Sequence, residues 1–232
     1  MDETDIKRLA GRTAAERYTR SGMKIGMGTG STAVWAIRRI GELIEEGSLT
    51  DIVGVPTSSQ SEIECERAGI PVRTMNDRYI DGKLDLTIDG ADEVDRVKAL
   101  TKGGGGALLI EKVCAYNSDR VVIVVGAGKV VKRLGDTFPI PLEVIPAARI
   151  PVTRALERLG FEVKLREAQR KMGAVITDNG NMLLDVRVPD ERPARELEEL
   201  FASIPGIAES GVFSHLDPIV LVAKSDGSVE TL

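Results

Sequence analysis

Apolar and polar positions change period several times along the chain, and each change marks an element. Over 3–20 the residues Ile6, Ala10, Ala14 and Tyr18 share one helical face, with Gly22 placed to end the helix. A short strand then enters the turn Gly26-Met27-Gly28-Thr29-Gly30, and the helix that follows has Val34, Ile37 and Ile44 on its apolar side. DIVGV (51–55) predicts a strand, and PTSSQSEIECERAG predicts a turn and a helix stopped by Gly69. LDLTI (84–88) predicts another strand, GALLIEKVCAYNS a helix, and VVIVVG (121–126) a strand buried on both faces. Strand and helix alternating in this way predict a parallel α/β sheet. Ligands bind such sheets beyond the carboxyl ends of the strands.

The pattern changes near Pro139. A proline-rich run (138–151) leads into a helix, FEVKLRE and GAVITDNGNMLLDVRV predict strands, and Asp178-Asn179-Gly180-Asn181 predicts the hairpin turn in the second of them. ARELEELFASIPG then predicts a helix and IAESGVF a strand. The last segment, PIVLVAKSDGSVETL, predicts a buried strand whose hairpin-like tail returns to the first sheet. The fold expected is α/β, with a parallel-sheet, Rossmann-like main domain over 1–137 plus 213–232. A small α+β, ferredoxin-like subdomain is expected over 138–212.

Composition narrows the chemistry. The 232 residues are enough for a main core and a smaller partner. A net charge of −5 argues against nucleic acid or an anionic membrane as a bulk partner, while leaving room for a locally basic site that takes an anionic metabolite. No apolar run is long enough to span a membrane, and MDETDIKRLAGRT, charged from its second residue, does not read as a signal peptide. Cys65 and Cys114 lack CxxC spacing and read as reduced structural thiols, which points to the cytoplasm. The single histidine, His215, rules out histidine-rich metal sites and leaves acid–base chemistry to carboxylates and lysines.

Four loops carry candidate chemistry. In Gly26–Thr32, small residues between strand and helix let backbone N–H groups close on an anion, and the hydroxyls of Thr29, Ser31 and Thr32 suit a phosphate. The spacing fits neither a dinucleotide fingerprint, which needs glycine where Ser31 stands, nor the Gly-Lys-Ser/Thr phosphate loop. The plainer account is a tight turn capped by Ser31. Asp89-Gly90-Ala91-Asp92 places two carboxylates three residues apart, suited to sugar hydroxyls or a moving proton; a solvated turn or a Mg²⁺ site would use the same residues. Lys102-Gly103-Gly104-Gly105-Gly106 runs into a helix bearing Glu111, and close approach of backbone to ligand explains it better than a flexible linker. Glu111 itself could equally be a surface glutamate paired with a lysine. Gly126-Ala127-Gly128-Lys129 offers a lysine beyond a buried strand, or merely an exposed loop lysine, and nothing local singles out Lys7 on its helix. All four loops follow predicted strands and are expected to open on one edge of one sheet.

Taken together, GMGTGST, DGADEVD, KGGGGALLIEK, EVIPAAR and VITDNGNMLLD closely resemble the type A ribose-5-phosphate isomerases, over effectively the whole chain. The resemblance implies an aldose–ketose isomerase of the non-oxidative pentose phosphate pathway that interconverts ribose 5-phosphate and ribulose 5-phosphate without a metal or other cofactor. It also implies a cytoplasmic homodimer or homotetramer, with the small subdomain involved in assembly. Glu111 matches the family's catalytic base, and Asp89, Asp92 and Lys102 match residues at the reacting end of the sugar. Thr29, Gly30, Ser31, Thr32, Lys7 and Lys129 match substrate and phosphate contacts, joined by Gly90, Ala91, Gly103, Gly104 and Gly105. The family usually carries an acidic residue and a serine before the lysine matching Lys129; Gly126-Ala127-Gly128 departs from that pattern. Ile110 likewise stands where the family often has a polar residue.

The implied chemistry is a cis-enediol(ate) route. Asp89 would open the furanose, Glu111 would carry the proton from C2 to C1, and Lys102 with glycine N–H groups would hold the growing oxyanion. Asp92 would shuttle a hydroxyl proton, and burial inside the helix would raise the Glu111 pKa toward neutrality. Other readings remain: a coenzyme A transferase with Glu111 as nucleophile, and a sugar-phosphate-binding protein without catalysis. A dinucleotide-dependent oxidoreductase fails on the Gly26 spacing.

Overall fold

The computed structural model of the chain describes residues 1–170, 172–189 and 191–232. The first part of the chain forms α1 (Glu3–Tyr18), β1 (Lys24–Met27), α2 (Ala33–Glu45), β2 (Val53–Pro56), α3 (Ser59–Arg67) and β3 (Leu86–Asp89). It continues through β4 (Glu93–Val94), β5 (Leu100–Thr101), α4 (Leu108–Tyr116), β6 (Val121–Gly126), β7 (Ile140–Val144) and α5 (Arg149–Arg158). The remainder forms β8 (Glu162–Leu165), β9 (Met182–Arg187), α6 (Ala194–Ala202), β10 (Ile207–Ser210), β11 (Val212–Phe213), β12 (Ile219–Ala223) and β13 (Val229–Thr231).

These elements make two compact units. The first comprises Met1–Ala91, Ile110–Lys129 and Leu216–Leu232. Its sheet has the order β13-β12-β6-β3-β1-β2, parallel throughout except for β13, the hairpin tail that pairs back on β12. Ile25, Met27, Leu86, Ile88, Val122, Val124 and Leu221 from the strands meet Ala10 and Ala14 of α1 and Ile37 and Ile40 of α2 in one core. β6 and β12 read as unbroken apolar runs because both faces are covered. Alanines on α1 let that helix lie close to its neighbours.

The second unit comprises Asp92–Leu109 and Val130–His215. Its four-stranded antiparallel sheet, β10-β7-β9-β8, is threaded in the order β7-α5-β8-β9-α6-β10, the ferredoxin-like plan. Ile140, Leu142 and Val144 of β7 pack with Val152 and Leu156 of α5 and with Leu197 and Phe201 of α6. Thr177 and Asn181 close the hairpin before β9, with Gly180 at φ +80°, as the Asp-Asn-Gly-Asn turn predicts. A further sheet, β11-β5-β4, belongs to this unit too. Segments 92–109, 130–137 and 213–215, which the linear pattern leaves with the main domain, therefore fall in the second unit: β5 pairs with β11, and Val131 N–H donates to Val94 O. The predicted strand IAESGVF is likewise divided at Gly211, its halves serving different sheets.

Candidate active site

In the first unit the chain leaves β1 for β2 on one side and returns to β3 on the other, so the winding direction reverses between β1 and β3. That reversal opens a crevice at the carboxyl ends of the two strands. Met27 and Ile88 are register partners there, and the next residues are the Gly28–Thr32 loop and Asp89. Gly28 N–H donates to Ile88 O at 3.0 Å, and a Cβ on Gly28 would run into the Asp89 carboxylate. This glycine is demanded by the approach of Asp89. Asp89 is 1% exposed, and its Oδ1 accepts from the N–H groups of Thr29 at 3.1 Å and Gly90 at 2.7 Å. Gly90 and Ala91 follow it, half-buried.

The loop is braced from α3. Thr29 Oγ1 lies 2.7 Å from Thr57 Oγ1 and 2.6 Å from Ser58 Oγ, and Gly30 N–H donates to Gln60 Oε1 at 3.1 Å. Two of the loop's amides are thus committed to Asp89 and Gln60, so the loop's structure does not leave all its N–H groups to an anion as the sequence alone suggests. Ser31 is not the helix cap either. The cap position of α2 is Thr32, whose side chain makes no capping hydrogen bond, so Ser31 and Thr32 stand at an end of α2 that favours negative charge. Thr57, Ser58 and Gln60 lie outside the residues the sequence motifs single out; the polar cluster in PTSSQS, directly after a strand, is the signal that marks them.

Helix α1 carries Lys7 to the carboxyl end of β6, where Ile6 lies beside Gly126. Lys7 Nζ pairs with Glu3 at 2.6 Å, and this bond, its charge and the nearby charge of Lys129 hold the Glu3 carboxyl below its ordinary range. The two lysines that the sequence could not connect thus lie in the field of one carboxylate. Lys129 itself ends a single 3₁₀ turn, Ala127–Lys129.

Glu111 stands in the first turn of α4, where the helix dipole favours a negative side chain, and is 4% exposed. One turn on, the Cys114 thiol is pushed up to about 12 by burial, with the charges of Asp89 and Glu111 adding to the effect. The same thiol therefore feels both carboxylates. Glu111 is not the solvated surface glutamate of the plainer account.

The second unit holds the remaining candidates. Asp92 N–H donates to Thr101 O at 2.7 Å across the β4–β5 hairpin, and Asp92 Oδ2 accepts from Gly104 N–H at 2.7 Å. A Cβ on Gly104 would sit 2.5 Å from Asp92 Oδ1, which is why this position takes glycine. Lys102 is 3% exposed; its N–H donates to Gly211 O at 2.8 Å and its ammonium lies 5.8 Å from the centre of the Phe213 ring. Lys102 and Gly103–Gly105 follow β5, a strand of the small antiparallel sheet. The expectation that all four loops leave strands of one sheet therefore holds for the loops after β1, β3 and β6 and fails for this one. A two-residue strand has too little periodicity to betray its sheet. Glu93, fully buried between Asp92 and Val94, accepts hydrogen bonds from Thr101 Oγ1, Gly135 N–H, Thr137 N–H and Oγ1, and Phe138 N–H.

The profile of the family described as ribose 5-phosphate isomerase A (phosphoriboisomerase A) matches residues 53–227. The chain belongs to the ribose 5-phosphate isomerase A family. It is 50% identical to the ribose-5-phosphate isomerase A of Treponema denticola over 214 residues, 91% of this chain and 89% of that one. Among solved structures, ribose 5-phosphate isomerase A of Methanocaldococcus jannaschii superposes with a TM-score of 0.92 at 42% identity, covering 100% of this chain and 99% of the other. A D-ribose-5-phosphate isomerase in complex with phospho-erythronic acid superposes with a TM-score of 0.94 at 35% identity and the same coverage. The α/β architecture expected from the strand pattern is thus the architecture of the ribose 5-phosphate isomerase A family.

Proposed function

We propose that this chain performs its family's interconversion of ribose 5-phosphate and ribulose 5-phosphate through a cis-enediolate, with Glu111 as the base. The observation that carries the reading is the burial of Glu111 in the first turn of α4, beside a thiol that also feels Asp89. Burying a carboxylate is costly, and two buried carboxylates, Asp89 and Glu111, acting on one thiol support acid–base work.

In this scheme Asp89 takes and returns the ring-hydroxyl proton as the furanose opens. Glu111 removes the proton on C2, the electron pair forms the C1–C2 double bond, and the C1 carbonyl oxygen becomes the enediolate oxyanion. Lys102 and the glycine N–H groups stabilise that charge; one such donor is typically worth about 3 kcal/mol in the transition state. Glu111 then delivers its proton to C1, while Asp92 relays the O2 hydroxyl proton toward O1 so that C2 becomes the ketone. Thr29, Gly30, Ser31, Thr32, Lys7 and Lys129 grip the phosphate, and Gly90, Ala91 and Gly103–Gly105 line the sugar. Holding the substrate by its phosphate keeps C1 and C2 at the carboxylate, which is catalysis by positioning.

The phospho-erythronic acid found in a related isomerase offers a probe that needs no turnover. Glu111→Gln is expected to lower kcat by roughly 10²- to 10⁴-fold. Calorimetry is expected to show phospho-erythronic acid binding to wild type and variant alike. Wild-type kcat in the variant would remove Glu111 from the mechanism. We also place the protein in the cytoplasm as a homodimer or homotetramer, with the second unit taking part in assembly; light scattering at working concentration tests this, and a monomer that turns over at full rate would contradict it.

A further inference from the structure

The second unit contains a charge pair with no part in the scheme above. Arg166 follows β8 and Asp185 lies on the neighbouring β9. Arg166 Nε donates to Asp185 Oδ2 at 2.9 Å and Nη2 to Oδ1 at 2.5 Å, a two-pronged fork that fixes the guanidinium plane. Its backbone is fixed as well, because Arg166 N–H donates to Leu183 O. The remaining nitrogen, Nη1, donates to two successive carbonyls of the glycine segment, Gly103 O at 2.8 Å and Gly104 O at 3.1 Å. The side chains are only 16% and 21% exposed.

A trans peptide carries its C=O and N–H on opposite edges. The grip on Gly103 O therefore turns the Gly104 N–H the other way, where it meets Asp92 Oδ2 at 2.7 Å. The grip on Gly104 O turns the Gly105 N–H away from Arg166 in the same manner. Glycines have no side chains with which to set the orientation of their peptide planes, and rotation about their backbone bonds is easy. The Gly103 carbonyl is gripped from two sides, by Arg166 and by the Gly106 N–H at 3.0 Å, which sets the edge that its peptide turns to the Asp92 carboxylate, and the guanidinium charge polarises both peptides so that their N–H groups donate more strongly.

We infer that Arg166, locked by Asp185, is a positioning residue for the isomerisation: with the Gly106 N–H it orients the Gly103–Gly104 peptide so that the Gly104 N–H holds Asp92 in place. The inference rests on the proposed roles of Asp92 and Lys102. A lysine cannot replace the guanidinium, since an ammonium has no planar fork for Asp185 with a further donor left for the carbonyls.

The test is steady-state kinetics of Arg166→Met, Arg166→Lys, Arg166→Ala and Asp185→Asn, with Asp92→Asn and Lys102→Met beside them. Arg166→Met and Arg166→Lys are expected to lose roughly 10- to 100-fold in kcat, as small misplacements of reacting groups do, while KM stays near the wild-type value. Millimolar guanidinium ion is expected to restore part of the lost kcat to Arg166→Ala, whereas urea at the same concentration restores none. Should Arg166→Met fail to fold, Asp185→Asn carries the same kcat-against-KM reading. Unchanged kcat in Arg166→Met or, in its place, Asp185→Asn overturns the inference, and so does a raised KM at unchanged kcat. If Asp92→Asn and Lys102→Met lose kcat but Arg166→Met does not, the inference alone falls. If Asp92→Asn and Lys102→Met themselves turn over normally, the site roles fall and the inference falls with them.

Discussion

Glu93 and Glu111 are both buried carboxylates, and they are built for different purposes. Glu93 is surrounded by donors from Thr101, Gly135, Thr137 and Phe138, all aimed at its two oxygens. It ties the hairpin between Asp92 and Lys102 to the 135–138 segment. Glu93→Ala would strand those buried donors, so urea unfolding is expected to show a loss of at least about 3 kcal/mol; a loss below about 1 kcal/mol would show that water replaces the carboxylate. Cys114 reports on the other carboxylate. Burial pushes the thiols of Cys65 and Cys114 up to about 12, and both are fully enclosed. A thiol must ionise and be reached to react, so neither cysteine is expected to label with a disulfide reagent at pH 8 until the chain is unfolded. Rapid labelling of Cys114 in the native protein would contradict the enclosure described beside Glu111.

At the scale of elements, the loop after β1 is shaped by what lies across from it. Gly28→Ala would push a methyl group into the Asp89 carboxylate and to 2.5 Å from Ile88 O, both at the end of β3. The variant is expected to lose about 1–3 kcal/mol of stability through overpacking. Displacing Asp89 is expected to lower kcat by at least about tenfold. A Gly28→Ala protein with normal kcat would mean that Asp89 is not needed where it stands. The strands of this sheet are legible because β6 and β12 are continuous apolar runs, and β1 and β3, though broken by Lys24 and Thr87, end in the glycine- and aspartate-rich loops that punctuate the pattern. Strand β5 is not, since Leu100 and Thr101 alone set no period, and nothing local shows that Lys102 follows a strand of the small antiparallel sheet. Bracing of Thr29 by Thr57 and Ser58 was hidden for another reason: serines and threonines after a strand are equally well explained as a helix cap, and Ser58 does cap α3.

Across the whole molecule, charge contributes to stability where it is paired and shielded. Glu64 on α3 is nearly buried beneath Arg38 of α2 and Arg67; the Arg38 hydrogen bond, with the charges of both arginines, holds its carboxyl below the ordinary range against the opposing effect of burial. A carboxyl whose folded pKa is depressed lends stability above its unfolded pKa, near 4.3, and loses it as pH falls through the folded value. Stability measured by urea unfolding is therefore expected to drop below about pH 4. Glu64→Gln is expected to be less stable at pH 7 and to show a flatter acid limb; an acid limb unchanged by the substitution would mean that other carboxyls control it. The division into units shows a limit of linear reading at this scale. Segment 92–109 carries Asp92 and Lys102, and it belongs with residues far along the chain because β11 claims β5, a pairing that no local pattern announces.

The central claim, that Glu111 moves the proton between C2 and C1, is tested most directly by proton NMR of ribose 5-phosphate in D₂O with EDTA present. Wild type and Glu111→Gln are followed side by side. The account predicts ribulose 5-phosphate with the wild type, deuterated at C1 in the fraction of turnovers where the proton on Glu111 exchanges with solvent before delivery, and neither isomerisation nor exchange at a comparable rate with the variant. Saturable binding without turnover by the wild type, or isomerisation at full rate by Glu111→Gln, would contradict it.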